Sequence, residues 1–172
     1  MRLPSRRKLP ADVRDRLPLE PGERPLAWAI GAEGEWYVGS DRALYLPEAN
    51  GFRRLGWEEV ARADFNGDTD RLAVIEVADW GEPEPRTEIT VTEPGSLLEL
   101  LRERVTKSVV CSMYAPVRGR SGLSVVGRRS PVGEGQVTWS YVLGRGLSPE
   151  DPDVIAVAER TLVEAENELG FR

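Results

Sequence analysis

From residue 25 onward the hydrophobic positions fall in short runs separated by Gly, Asn, Asp and Pro, a pattern that predicts strands joined by tight turns. Seven such runs precede the first helical signal, at residues 25–30, 35–39, 43–46, 52–55, 61–65, 71–78 and 87–92. In the sixth, Leu72 and Val74 alternate with Ala73, Ile75 and Val77, so this strand is expected to be buried on both sides near its middle. Asn66-Gly67 separates two runs and predicts a hairpin turn, because both residues tolerate positive φ. These signals are antiparallel.

The period then changes. Ser96 with Glu99 three residues later predicts a capping box, and Leu97, Leu98, Leu101 and Val105 fall on one face of the helix that follows. Such a helix should cover a sheet. Three more extended segments follow at 109–117, 122–129 and 136–143, with 130–135 as the loop of a hairpin between the last two. Asp151 as N-cap, Pro152 at the first helical position and Gly170 as the stop bound a final helix, striped by Ile155, Ala158, Leu162, Ala165 and Leu169. Before residue 21, Pro4, Pro10 and Pro18 interrupt any long helix, and a basic arm with one helical turn at 12–16 is expected.

Composition narrows the chemistry. The 172 residues include no histidine, which excludes Ser-His-Asp and Cys-His nucleophilic sites and any metal site needing imidazole. Cys111 is the single cysteine, so no disulfide within the chain and no thiolate zinc cluster is possible. A reducing, cytoplasmic setting is expected, and the basic start lacks the apolar stretch of a secretion signal. No run approaches the roughly 18 apolar residues of a membrane-spanning helix. Net charge is −6, but residues 108–147 carry five basic side chains against one acidic, so a basic patch is local. Arginine outnumbers lysine 21 to 2, which makes any arginine cluster partly a matter of composition.

Gly22-Glu23-Arg24 before the first strand, Ser40-Asp41-Arg42-Ala43-Leu44-Tyr45 leading into the third, and Trp57-Glu58-Glu59-Val60 before the fifth resemble local wording of bacterial pleckstrin-homology-like (PH-like) domains. Seven strands followed by one amphipathic helix are also the element order of that superfold. The resemblance covers residues 21–108. It implies a partly open antiparallel β-barrel capped by an α-helix, with Leu97, Leu98, Leu101 and Val105 as the plug. Lipid-binding members hold phosphorylated headgroups with basic residues between strands one and two. Here that stretch reads Gly31-Ala32-Glu33-Gly34-Glu35, with two carboxylates where phosphate needs cations, so phosphoinositide binding there is disfavoured.

Several candidate sites resolve to plainer readings. Asp64, Asn66, Asp68 and Asp70 alternate as in a calcium loop, but Thr69 and Ile75 stand where an EF-hand needs Gly and Glu, so a hairpin turn is expected and no metal. Ser5 and Lys8 have the bare SxxK spacing without its companion motifs. Glu58 and Glu59 are adjacent and point apart. Neither GxGxxG nor GxxxxGK occurs. The remaining cluster is Arg118, Arg120, Arg128, Arg129 and Arg145, near Tyr114, Trp139 and Tyr141; guanidinium beside aromatic faces suits anion binding and base stacking. Against this, Trp139 and Tyr141 share one face of an alternating strand and would fill a core.

The expectation is therefore an α+β protein with a basic arm at 1–20, a PH-like β-barrel with its capping helix at 21–108, and a β-hairpin and α-helix extension at 109–172. It is expected to be a non-enzymatic cytoplasmic adaptor, without catalytic residues or cofactor, that binds another protein. The alternative is nucleic-acid or polyanion binding through the arginine-rich C-terminal hairpin. Oligomeric state is left open by the sequence.

Overall fold

The computed structural model describes residues 8–170; Ser5 and the arginines at positions 2, 6 and 7 lie outside them. Seven antiparallel strands form a single curled sheet. They are β1 (Pro25–Gly31), β2 (Trp36–Ser40), β3 (Ala43–Glu48), β4 (Gly51–Gly56), β5 (Val60–Asn66), β6 (Arg71–Glu76) and β7 (Arg86–Glu93). Their order is β4-β3-β2-β1-β7-β6-β5, which leaves β4 and β5 as the two edges. The turn lies in β1, which pairs along its length with β2 and meets β7 only through Ile30 and Gly31. Bidentate hydrogen bonds from Arg53 on β4 to Glu76 at the end of β6 draw the two halves together at one end, where a bond from the Val77 amide to the Glu59 carbonyl extends the β5–β6 ladder.

A short α1 (Ala11–Asp15) precedes the sheet, and α2 (Leu97–Ser108) follows it. Leu97, Leu100 and Leu101 of α2 are buried inside the curl with Leu44, Trp57 and Val74. Each fully buried leucine contributes about 1.5–3 kcal/mol. The face is rotated from the expected one: Leu100 is buried, whereas Leu98 and Val105 lie partly buried at its border. Nor does the capping box form, since the Ser96 side chain makes no cap hydrogen bond. Glu59 instead accepts the Gly56 amide at 2.7 Å, at the start of the 3-10 turn Trp57–Glu59. Trp57 is wholly buried, and its indole N–H donates to the Ser40 carbonyl.

The other face of β1–β4 is also covered. Val13 and Leu17 are buried against Val38, Ala43 and Tyr45, so the part of the expected arm that is described packs on the sheet. This explains why β2 and β3 are apolar on both sides. Below this layer sits Glu23, whose carboxylate accepts bonds from the Ser40 hydroxyl and the Glu20 amide and lies 3.5 Å from Arg54. Burial pushes its pKa up, but Ser40, the Glu20 amide, Tyr45 and Arg54 more than offset this and hold it below the ordinary value.

After α2 the chain enters a second, three-stranded sheet ordered β10-β9-β8, from β8 (Val109–Arg118), β9 (Ser121–Arg128) and β10 (Thr138–Leu143). Helix α3 (Pro152–Glu168) packs on one face of it, burying Val154, Ala158 and Ala165 with Cys111, Leu123 and Val125. Pro152 opens this helix as expected, but the Asp151 side chain makes no cap bond and pairs with Arg118 instead. The DFNGDTD segment is the β5–β6 turn. Its positive φ falls on Asp70 and not on Asn66 or Gly67, and the Asn66 side-chain oxygen accepts the Asp68 and Thr69 amides. Among the described residues no helix is long and apolar enough to cross a membrane.

A Cβ added at Gly39 would stand 2.7 Å from a Leu100 methyl and 2.9 Å from a Leu97 methyl, so Gly39→Ala should destabilise the protein by about 1–3 kcal/mol in denaturant melts. An unchanged midpoint would show that α2 does not seat against β2. A carboxylate with a depressed folded-state pKa contributes stability above its unfolded value, near pH 4.5, and loses it as pH falls through the folded value. Glu23→Gln should therefore cost about 1–3 kcal/mol at pH 7 and flatten the acid limb of the stability profile, whereas parallel profiles for the two proteins would contradict this account.

Candidate functional site

The five arginines of the C-terminal sheet do not converge. Arg118, Arg120 and Arg145 lie at the end of the sheet where β8 turns into β9, a closeness marked by the bond from the Ser121 hydroxyl to the Arg145 carbonyl. Arg128 and Arg129 lie at the opposite end of β9, roughly 23 Å away at ~3.3 Å per residue. Arg118 is bound by two carboxylates, Asp151 at 2.9 Å and Asp153 at 2.6 Å, which hold its pKa above the ordinary range. The Arg120 and Arg145 residues are exposed. Among the described residues the arginines of this sheet thus form two groups, one at each end. Tyr114 is exposed on the outer face of β8, while Trp139 and Tyr141 pack toward α3 as core.

Arg128 stands apart from the others. The residue is 8% exposed, on the face of β9 that turns toward the curled sheet. One terminal nitrogen donates to the Ala61 carbonyl at 2.8 Å and the other to the Ser108 hydroxyl at 3.3 Å. Its Nε is buried without a partner, and no carboxylate of the described residues lies within 4 Å. Burial alone pulls its pKa down. Leaving a buried charge without a counter-charge costs several kcal/mol. Two neutral oxygens offset only part of that.

Two depressions meet at Ala61 and Arg62, at the head of β5. The larger, about 890 Å³, is walled by Trp80, Val126, Arg128, Ser140 and Val142. It exists because the loop 77–84 crosses the free edge of β10. Trp80 stacks edge-on against Tyr141 with centroids 4.9 Å apart, and its indole N–H donates to the Pro149 carbonyl. Arg62 ties the same loop to β5 through Glu84 at 2.9 Å. The smaller depression, about 330 Å³, lies between β5 and α2 and is walled by Ala63, Phe65, Leu98, Leu101, Arg102 and Val105. Phe65 is 40% exposed at its mouth.

Together these form one channel. β5 is an edge strand whose outer side faces α2, so part of its backbone has no strand partner, and the channel runs beside it. At its head, Arg128 stands where a neighbouring strand would begin. Residue pattern alone marked Arg128 as a site candidate, placed Leu98, Leu101 and Val105 only in a core-facing stripe, and gave no site role to Ala61, Phe65 or Trp80. A tryptophan within Asp79-Trp80-Gly81-Glu82-Pro83, a segment otherwise built for a solvated turn, was the available signal for Trp80. The β1–β2 loop, by contrast, is closed on itself: Glu35 accepts the Glu33 amide and the Tyr37 hydroxyl, both at 2.9 Å. Against this geometry, no family model, no curated protein and no solved structure matches the chain.

Proposed function

We propose that the chain is a non-enzymatic binding protein on a PH-like scaffold, which takes an extended segment of a partner protein along the free edge of β5. The scaffold reading is supported by seven antiparallel strands in a curled sheet with the following helix seated in its mouth. The observation that carries the function is the open edge of β5, flanked by the apolar wall of α2. Strand addition uses such an edge for main-chain hydrogen bonds and takes alternate side chains into adjacent pockets. Ala63, Phe65, Leu98 and Val105 supply apolar contact on one side, and Arg62 and Arg102 border it.

The test is selection of random displayed peptides on the immobilised protein, followed by amide hydrogen exchange with a selected peptide bound. Exchange should slow at least tenfold across β5, and Phe65→Ser should weaken affinity about five- to tenfold, the worth of one partly exposed apolar contact. A peptide that binds with β5 exchange and Phe65 both irrelevant would contradict the reading.

A further inference from the structure

We infer that the channel reads a partner's C-terminal carboxylate, with Arg128 as its receiver and the larger cavity as the pocket for the last side chain. This rests on the strand-addition reading and adds a polarity and a recognition group to it. β5 runs from Val60 to Asn66, so a segment added antiparallel to it ends beside Ala61, whose carbonyl Arg128 already holds at 2.8 Å. A guanidinium has five N–H donors; two of those on Arg128 are engaged, both with uncharged oxygens. A carboxylate reaching it through the cavity supplies the missing counter-charge in a charge-assisted, planar geometry that suits arginine.

The surroundings favour one carboxylate over a polyanion. Asp79, Glu82 and Glu84 line the loop side of the cavity, and Glu84 pairs with Arg62. A phosphate chain would meet these acids, whereas one terminal carboxylate reaches Arg128 past them. Beyond the guanidinium the walls are Trp80, Val126 and Val142, which fit an apolar or aromatic last residue. Val142 is itself half exposed on the edge strand β10.

The full chain would be panned against two libraries of random heptapeptides, one ending in free carboxylates and one held internally between flanking sequences. Binders should come from the first library, with an apolar last residue. Resynthesised with a C-terminal amide, such a peptide should lose at least tenfold in affinity for the unaltered protein. Arg128→Gln should remove the difference between acid and amide forms, and Arg128→Lys should keep part of it. Equal binding of acid and amide by the unaltered protein overturns the inference, and this arm stands even if Arg128→Gln fails to fold. Internal-library binders that protect β5 without needing a free carboxylate would overturn it while leaving strand addition intact. No binder from either library would remove both.

Discussion

Leu97 and Leu100 seat against β2 only because Gly39 offers no side chain there, and Trp57 and Leu101 complete the core beside them. Helix α2 is the element on which the remaining geometry depends. Its inner face completes a core that the sheet alone, curled and open at one end, would leave wet. Its flank supplies the wall opposite β5. Its last residue, Ser108, leads directly into β8, and Ser108 also accepts the Arg129 amide through its carbonyl and Arg128 through its hydroxyl. The two sheets are therefore joined at the end of α2 without a linker.

This junction explains why Arg128 is costly and yet placed where it is. Val126 and Arg128 share the face of β9 that meets the loop and the head of β5, so the guanidinium is desolvated by the packing of one sheet against the other. Arg118 shows the opposite solution at the far end of the same sheet. It is exposed and answered by two carboxylates, an arrangement worth little in either stability or recognition. Two arginines ten residues apart thus differ entirely in chemical potential, and the difference comes from the sheet face and not from residue type.

Much of the fold was legible in the residues. Short apolar runs bounded by Gly, Asn, Asp and Pro located all ten strands to within a few positions, because antiparallel strands joined by tight turns are punctuated by the residues those turns need. The unread features needed tertiary information. Four leucines within five residues of α2 allow two overlapping apolar faces, and the approach of Gly39 selects the one with Leu100. Ser96 had the right identity for a cap but not the backbone setting. The expected arm supplied Val13 and Leu17 to a second core layer, for which the two-sided apolarity of β2 and β3 was the neglected sign. For Arg128 a similar sign existed: Val125 and Val126 are adjacent and both buried, so β9 is covered on both faces and a polar residue on either is under cover. Which element covers it could not be read, since Ala61 and Trp80 are separated from it by many residues of chain.

The central claim is that α2 is an integral part of the curled sheet's core. Native-state amide hydrogen exchange measures this most directly. The account predicts that the amides of Leu100, Leu101 and Val105 exchange only through the same global opening as those of Val38 and Val74, with equal free energies and equal denaturant dependence. Exchange of the α2 amides through a separate opening, several kcal/mol below that of the sheet, would contradict it.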